Sequence, residues 1–133
     1  MSNSTPTPRT ILVIEDDQDL RRILRAKLTA AGYRVTTAAN GEDAATELSR
    51  VPFDLVLTDW FMPAKDGLEV LRELYKSHPA LPVVVMTGGG ARMTATQCTG
   101  AARLLGAVAV LEKPFSDEQL HEAIALALPE QPT

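Results

Sequence analysis

Residues 11–17 read ILVIEDD, an apolar run that ends abruptly in three acids. An unbroken apolar run is typical of a strand that other elements cover on both faces of its sheet. The run therefore predicts a strand, β1, over residues 11–14. The acids that follow it, Glu15, Asp16 and Asp17, then lie where this strand ends.

Four further segments have the patterns of strands. Residues 54–58 (DLVLT) and 82–87 (PVVVMT) are apolar runs like the first, and they predict β3 and β4. Alternation of Tyr33, Val35 and Thr37 predicts β2 within residues 33–38, and residues 107–111 predict β5. The chain thus contains five predicted strands.

Helical spacing of apolar residues fills the gaps between these strands. The predicted helices are α1 over residues 19–31 before Gly32, α2 after Asn40-Gly41, α3 beyond Gly67, α4 between the glycines at 88–90 and Leu105, and α5 near the end. Ser116 and Gln119 form a capping box at the start of α5. Strands and helices therefore alternate along the whole chain.

This alternation predicts right-handed crossovers and an α/β fold, a doubly wound five-stranded parallel sheet with helices on both faces. The flavodoxin-like strand order 2-1-3-4-5 is the common arrangement for five strands. In that order β1 and β3 are neighbours, and a crevice opens at their carboxyl ends. Ligands of such sheets bind in this crevice.

Carboxylates are predicted to meet at the crevice, because Asp16 and Asp17 follow β1 and Asp59 follows β3. Like charges at short distance repel each other, so the cluster calls for a cation. Mg²⁺ fits, since it takes oxygen ligands and is typically held by one or two carboxylates together with phosphate oxygens. His78 and His121 lack the spacing of a zinc pair.

Two donors are predicted at the same edge, Thr87 at the end of β4 and Lys113 just after β5. A hydroxyl and an ammonium suit the oxygens of a phosphoryl group. Asp59 is then the best-placed nucleophile for an aspartyl phosphate, because a metal and a lysine would offset the charge that builds up. Pro114 would fix the approach of the lysine, and a cis bond is one way to do so.

Composition excludes several classes of function. The chain has 133 residues, 45% of them hydrophobic, and a net charge of -4 without runs of Lys or Arg, so we expect one domain that binds neither nucleic acid nor membrane. The single cysteine, Cys98, is expected to be a small buried hydrophobe in a reducing, cytoplasmic setting. The predicted division is a disordered leader at 1–8, a domain at 9–128 and a short tail at 129–133.

The motifs IEDD at 14–17, LTDWFMPAKDG at 57–67, MTGG at 86–89 and EKPF at 112–115 resemble the receiver domain of two-component response regulators. The resemblance implies a set of site roles. These are Asp59 as phosphoacceptor, Asp17 and Asp59 as direct Mg²⁺ ligands, Asp16 as a water-mediated ligand, the Phe61 backbone carbonyl as a further ligand, and Thr87 and Lys113 as contacts of the phosphoryl oxygens.

The resemblance also implies a phosphorylation-dependent switch, which we expect to be a monomer or weak dimer. Because only residues 129–133 follow α5, we expect the stand-alone type without an attached output domain. A partner histidine kinase or histidine phosphotransfer protein would supply the phosphoryl group, and a downstream protein would read the face of α4, β5 and α5. The expected chemistry is Mg²⁺-dependent self-phosphorylation and slow self-dephosphorylation, not enzymatic turnover. The alternatives are a phosphorelay intermediate, an interaction module that has lost phosphorylation, and a small phosphohydrolase, although Phe61 stands where that class carries a second acid.

Two features depart from the family pattern. Val110 lies three residues before Lys113, where the family commonly has an aromatic residue, and the glycines at 88–90 extend the loop after Thr87. We therefore expect signalling to move this loop and α4. The Phe61 side chain is expected to cover the site and slow the attack of water on the acyl phosphate.

Overall fold

The computed structural model describes residues 8–59, 67–88 and 106–128, with the side chains of 67–71 excepted. Its elements are β1 (Thr10–Ile14), α1 (Gln18–Ala30), β2 (Arg34–Ala38), α2 (Gly41–Arg50), β3 (Leu55–Asp59), α3 (Gly67–Ser77), β4 (Val83–Thr87), β5 (Ala109–Glu112) and α5 (Asp117–Ala127). The predictions for residues 1–7, Phe61, Gly89 and Gly90, helix α4, Cys98 and the tail fall outside the described residues.

The five strands form one parallel sheet in the order β2-β1-β3-β4-β5, which confirms the predicted fold and strand order. Ile14 pairs with Thr58, and Asp59 pairs with Met86, so the central strands end nearly level with one another. The residues that follow β1 and β3 are therefore neighbours at the carboxyl edge of the sheet.

Side chains of the central strands alternate between two cores, one on each face of the sheet. Leu12, Val56 and Val85 pack with Ala44 of α2 and Leu74 of α3 on one face. The opposite face carries a second cluster that joins the sheet to α1 and α5, and its members include Val13, Leu57, Met86, Leu24, Leu28, Leu120 and Ile124. Coverage of both faces explains why these strands read as unbroken apolar runs.

Three helices begin at capping side chains. Asn40 accepts a hydrogen bond from the Asp43 N–H at the start of α2. Ser116 and Gln119 form the predicted capping box of α5, with reciprocal bonds of 3.1 and 2.8 Å. Asp17 caps α1, and each such cap stabilises its helix by about 1 kcal/mol.

The turn before β5 packs against α3. Gly106 has φ +99°, and a Cβ added there would lie 2.6 Å from Cε2 of Tyr75. The Tyr75 ring, although 60% exposed, therefore lies directly over this glycine. Nearby in β5, Val110 is half-buried and packs against the core cluster that contains Leu74.

In the parts of the chain that the structure describes, no helix has the length and apolar character needed to cross a membrane.

Candidate functional site

Backbone hydrogen bonds fix the residues that follow the strands. Glu15 comes directly after β1, and its N–H donates to the Ala38 carbonyl at 3.0 Å. Asp59 is the last residue of β3. The Lys113 N–H donates to the Thr87 carbonyl at 2.7 Å, which holds the segment after β5 against the end of β4. The strand ends therefore bring these side chains to one edge of the sheet.

Three carboxylates converge at this edge. One oxygen from each of Glu15, Asp16 and Asp59 lies within 4.8 Å of the other two. Glu15 is 1% exposed and Asp59 is 6% exposed, whereas Asp16 is exposed at the mouth of the site. Such a cluster of like charges is unfavourable unless a cation or a proton compensates it.

Lys113 brings a positive charge to the cluster. Its Nζ lies 2.8 Å from Oε1 of Glu15 and 3.2 Å from Oδ1 of Asp59. Burial alone would lower the pKa of the Lys113 ammonium, but the hydrogen bond to Glu15 and the attraction of Asp59 outweigh it and raise that pKa. The lysine is therefore charged at neutral pH.

Glu15 is held on both of its carboxylate oxygens. Oε1 accepts from Lys113, and Oε2 accepts from the Asp17 N–H at 3.1 Å. Burial raises the pKa of the Glu15 carboxyl, the bonds from Lys113 and Asp17 oppose that rise, and the charge of Asp59 adds to it. The carboxylate is thus well bonded but remains costly to keep ionised without further positive charge.

The structure places the Asp17 side chain elsewhere. Its Oδ1 accepts from the N–H groups of Asp19 and Leu20, at 2.9 and 3.1 Å, as the cap of α1. In the cluster of described carboxylates, Glu15 stands where the resemblance implied Asp17. The geometry therefore differs from the predicted ligand set of Asp16, Asp17 and Asp59.

The position of Glu15 directly after β1 is the sequence signal that points to it. In a parallel sheet the residues next to the carboxyl ends of the strands lie at the ligand-binding edge. Glu15 and Asp16 are the first two residues after β1, and Asp59 is the last residue of β3. The sequence-based prediction, from the strand ends and from the resemblance, chose Asp16 and Asp17 and passed over Glu15.

Thr87 ends β4 and is fully buried at this edge. It stands one position beyond Met86, the residue paired with Asp59. The peptide bond between Lys113 and Pro114 is cis, in the form that the sequence suggested. Phe61, the remaining predicted ligand, lies outside the described residues.

The donor set has a clear chemical character. Carboxylate oxygens are the ligands that Mg²⁺ prefers, so Glu15, Asp16 and Asp59 fit this ion. Lys113 offers an ammonium to anionic oxygens next to Asp59. A carboxylate flanked by a metal and a lysine suits nucleophilic attack on phosphorus.

Comparison with known proteins agrees with this fold. The family model described as "Response regulator receiver domain" matches residues 11–125. The transcriptional regulatory protein GlrR of Escherichia coli is 35% identical over 121 residues, which are 91% of this chain and 26% of GlrR. The chain therefore spans about a quarter of the length of that curated relative.

Two solved structures are close in shape. A response regulator receiver domain protein from Clostridium thermocellum superposes with a TM-score of 0.82 at 30% identity, covering 90% of this chain and 94% of that one. The chemotaxis protein CheY4 of Vibrio cholerae gives a TM-score of 0.83 at 26% identity, covering 92% of this chain and 100% of CheY4. The match of the family model over most of the sequence, on this fold, shows that the chain belongs to the response regulator receiver domain family.

Proposed function

We propose that Asp59 accepts a phosphoryl group in a Mg²⁺-dependent reaction and that the modified domain shows a changed surface to a downstream protein. The observation that carries this proposal is the position of Asp59. Its buried carboxylate lies 3.2 Å from the Lys113 ammonium and within 4.8 Å of two further acids. This arrangement supports attack by a carboxylate oxygen of Asp59 on an anionic group such as a phosphoryl group.

The proposed ligands of Mg²⁺ are Glu15, Asp16 and Asp59. When bound, the ion supplies positive charge that offsets the repulsion of the carboxylates and of the incoming phosphoryl oxygens. The Asp59 oxygen forms a bond to phosphorus while the P–N bond of a partner's phosphohistidine breaks. The electron pair of that bond goes to the imidazole nitrogen, which then takes a proton from water.

Lys113 is proposed to exchange partners during this step. Its ammonium pairs with Glu15 and Asp59 before the reaction, and it then donates to an oxygen of the phosphoryl group. The Thr87 hydroxyl is proposed as a second donor from the end of β4. Both donors are proposed to bind the transferring phosphoryl oxygens more strongly than they bind the free carboxylate, which would favour transfer to Asp59.

The proposed partners follow from the family. Receiver domains take their phosphoryl group from histidine kinases, and a histidine kinase or phosphotransfer protein of the cytoplasm is the proposed donor. GlrR is named a transcriptional regulatory protein, so output through a DNA-binding protein is compatible with the proposal. The proposed chemistry of this domain is limited to self-phosphorylation and slow self-dephosphorylation.

The test is an intact-mass measurement after incubation with Mg²⁺ and acetyl phosphate. The wild type should gain one phosphoryl group, and Asp59→Asn should gain none. Asp54→Asn is the matched control, because Asp54 is exposed and lies just before β3, at the opposite end of the strand, where it accepts from Thr10 N–H. It should behave as the wild type.

A chelator should abolish the gain in the wild type and in the control. An unmodified wild type, or a gain that persists in Asp59→Asn, would overturn the proposal. Rapid consumption of many donor molecules per protein would instead support a phosphohydrolase.

A further inference from the structure

We infer that Arg21 is a positioning residue for the metal site, an inference that rests on the proposed function. Its guanidinium Nη1 donates a hydrogen bond of 2.8 Å to the backbone carbonyl of Glu15. That carbonyl belongs to the peptide group that joins Glu15 to Asp16, two of the three clustered acids. Arg21 thereby holds the backbone orientation from which the side chains of Glu15 and Asp16 project.

The planarity of the peptide bond makes this contact effective. Fixing the Glu15 oxygen fixes the orientation of the whole peptide plane, because its atoms turn together. The orientation determines ψ of Glu15 and φ of Asp16. A rotated plane would therefore move the exposed Asp16 carboxylate away from the oxygens of Glu15 and Asp59, which are buried.

The other polar groups of Glu15 are already held by separate elements. Its N–H donates to Ala38 at the end of β2, and its carboxylate accepts from Lys113 and from the Asp17 N–H. The carbonyl is the group that Arg21 holds, from the first turn of α1. Each polar group of this residue thus has a fixed partner.

Arg21 can hold this carbonyl in place because its own backbone is fixed within α1. Its N–H donates to the Asp17 carbonyl at 2.9 Å, and α1 is fastened to the sheet by Leu24 and Leu28, which are fully or almost fully buried. The side chain also lines an open cleft of about 310 Å³, together with residues of β2 and α2 and with Ala39 between these two elements. A smaller side chain at this position would be solvated, so substitution leaves the core intact.

Whether substitution of Arg21 raises or lowers the affinity for Mg²⁺ distinguishes a positioning role from a purely electrostatic one. A cation beside the site repels Mg²⁺, so loss of the Arg21 charge alone would tighten metal binding. Loss of a clamp on the ligands would weaken binding, as loss of an outer-shell hydrogen bond typically does. The two roles therefore predict opposite changes in one variant.

The experiment titrates Mg²⁺ into the wild type and variants by calorimetry. Arg21→Met and Arg21→Gln should each weaken Mg²⁺ binding by about tenfold. Arg21→Lys, which can donate to the same carbonyl, should recover most of the affinity. Arg22→Met is the matched control, because Arg22 is the adjacent residue of the same helix and is exposed. It should bind Mg²⁺ as tightly as the wild type or slightly more tightly.

A second measurement does not depend on the metal. The amide resonance of Asp16 reports the Glu15–Asp16 peptide, and without Mg²⁺ it should shift in Arg21→Met and Arg21→Gln but stay in place in Arg22→Met. Unfolding midpoints in urea confirm that each variant is folded. If either Arg21→Met or Arg21→Gln is unstable, the Mg²⁺ affinity and the Asp16 resonance of the other variant test the positioning role.

An unmoved Asp16 resonance, or unchanged or tighter Mg²⁺ binding in the folded Arg21→Met or Arg21→Gln, would overturn the positioning role. Equal weakening in Arg22→Met would overturn it as well. A wild type that binds no Mg²⁺, with the Asp16 resonance still shifted by Arg21→Met, would refute the proposed metal site and leave the clamp on the peptide supported.

Discussion

Lys113 and Glu15, which are 98 positions apart in the sequence, form a hydrogen-bonded ion pair of 2.8 Å at the carboxyl edge of the sheet. Glu15 is 1% exposed on its side chain, and Lys113 is 24% exposed. A buried charge that loses its partner is strongly destabilising, whereas an exposed pair contributes little. We therefore expect this ion pair to affect the free energy of unfolding as well as the chemistry of the site.

Lys113→Met should destabilise the fold by about 3 kcal/mol near pH 7 in the absence of Mg²⁺. The variant lacks the ammonium that lowers the pKa of Glu15, so the raised pKa of that carboxyl rises further. A carboxyl whose pKa is higher in the folded state contributes stability below its unfolded pKa and loses it as the pH rises through the folded value. The loss should therefore be smaller near pH 4 than near pH 7.

Urea unfolding at both pH values measures this difference. Lys27→Met is the matched control, because Lys27 pairs with Asp117 on the surface, where the two side chains are 40% and 65% exposed. That variant should change stability little at either pH. A loss for Lys113→Met that is independent of pH would contradict the role assigned to Glu15.

Asp17→Asn and Asp16→Asn should separate helix capping from metal binding. A ligand that binds only the folded state raises the free energy of unfolding, by about 2.7 kcal/mol at a hundred times the dissociation constant. Mg²⁺ should therefore raise the melting temperature of the wild type. Asp17→Asn keeps an efficient cap and should keep most of this response. Asp16→Asn removes a clustered carboxylate and should lose most of it.

Thermal unfolding with and without Mg²⁺ is the measurement, and Asp17→Ala adds a check on the cap. That variant should lose about 1 kcal/mol of stability while retaining the metal response. Loss of the Mg²⁺ response in Asp17→Asn with its retention in Asp16→Asn would restore the ligand role that the resemblance implied for Asp17.

Gly106→Ala should destabilise the protein more than Gly32→Ala. Both glycines have φ near +100°, a conformation that costs other residues about 1–2 kcal/mol. A Cβ at Gly32 meets nothing within 4 Å, whereas a Cβ at Gly106 would meet the Tyr75 ring. The excess loss at Gly106 is therefore the cost of displacing that ring.

Urea unfolding of five proteins isolates this cost: the wild type, Gly32→Ala, Gly106→Ala, Tyr75→Ala and the double variant of Gly106→Ala with Tyr75→Ala. In the Tyr75→Ala background, Gly106→Ala should cost no more than Gly32→Ala costs in the wild type. A double variant whose loss equals the sum of the single losses would show that the ring and the glycine do not interact.

The apolar runs were sufficient to predict β1, β3 and β4, because strands with both faces covered need apolar residues throughout. The strand order came from the common arrangement of five-stranded doubly wound sheets, not from the runs themselves. The predicted ends of the strands were less accurate. β3 was predicted to stop at Thr58, but it continues to Asp59, which pairs with Met86. An apolar pattern excludes a polar residue at the end of a run from the strand, although the hydrogen bonds of the sheet include it.

The site was predictable where topology decides it. Parallel strands gather the acids that follow β1 and β3, and Lys113 approaches them from β5. The contact between Arg21 and the Glu15 carbonyl depends on a side-chain conformation, and no spacing in the sequence encodes it. The packing of Tyr75 on Gly106 joins distant segments, and no spacing in the sequence encodes this contact either.

Every residue of β3 is buried, and the strand is hydrogen-bonded to β1 on one side and β4 on the other. A strand held in this way exchanges its amide protons only when the whole domain unfolds. Asp59 therefore ends a strand whose backbone moves little unless the domain unfolds. A change of surface that a partner detects after modification is therefore expected to arise outside this strand.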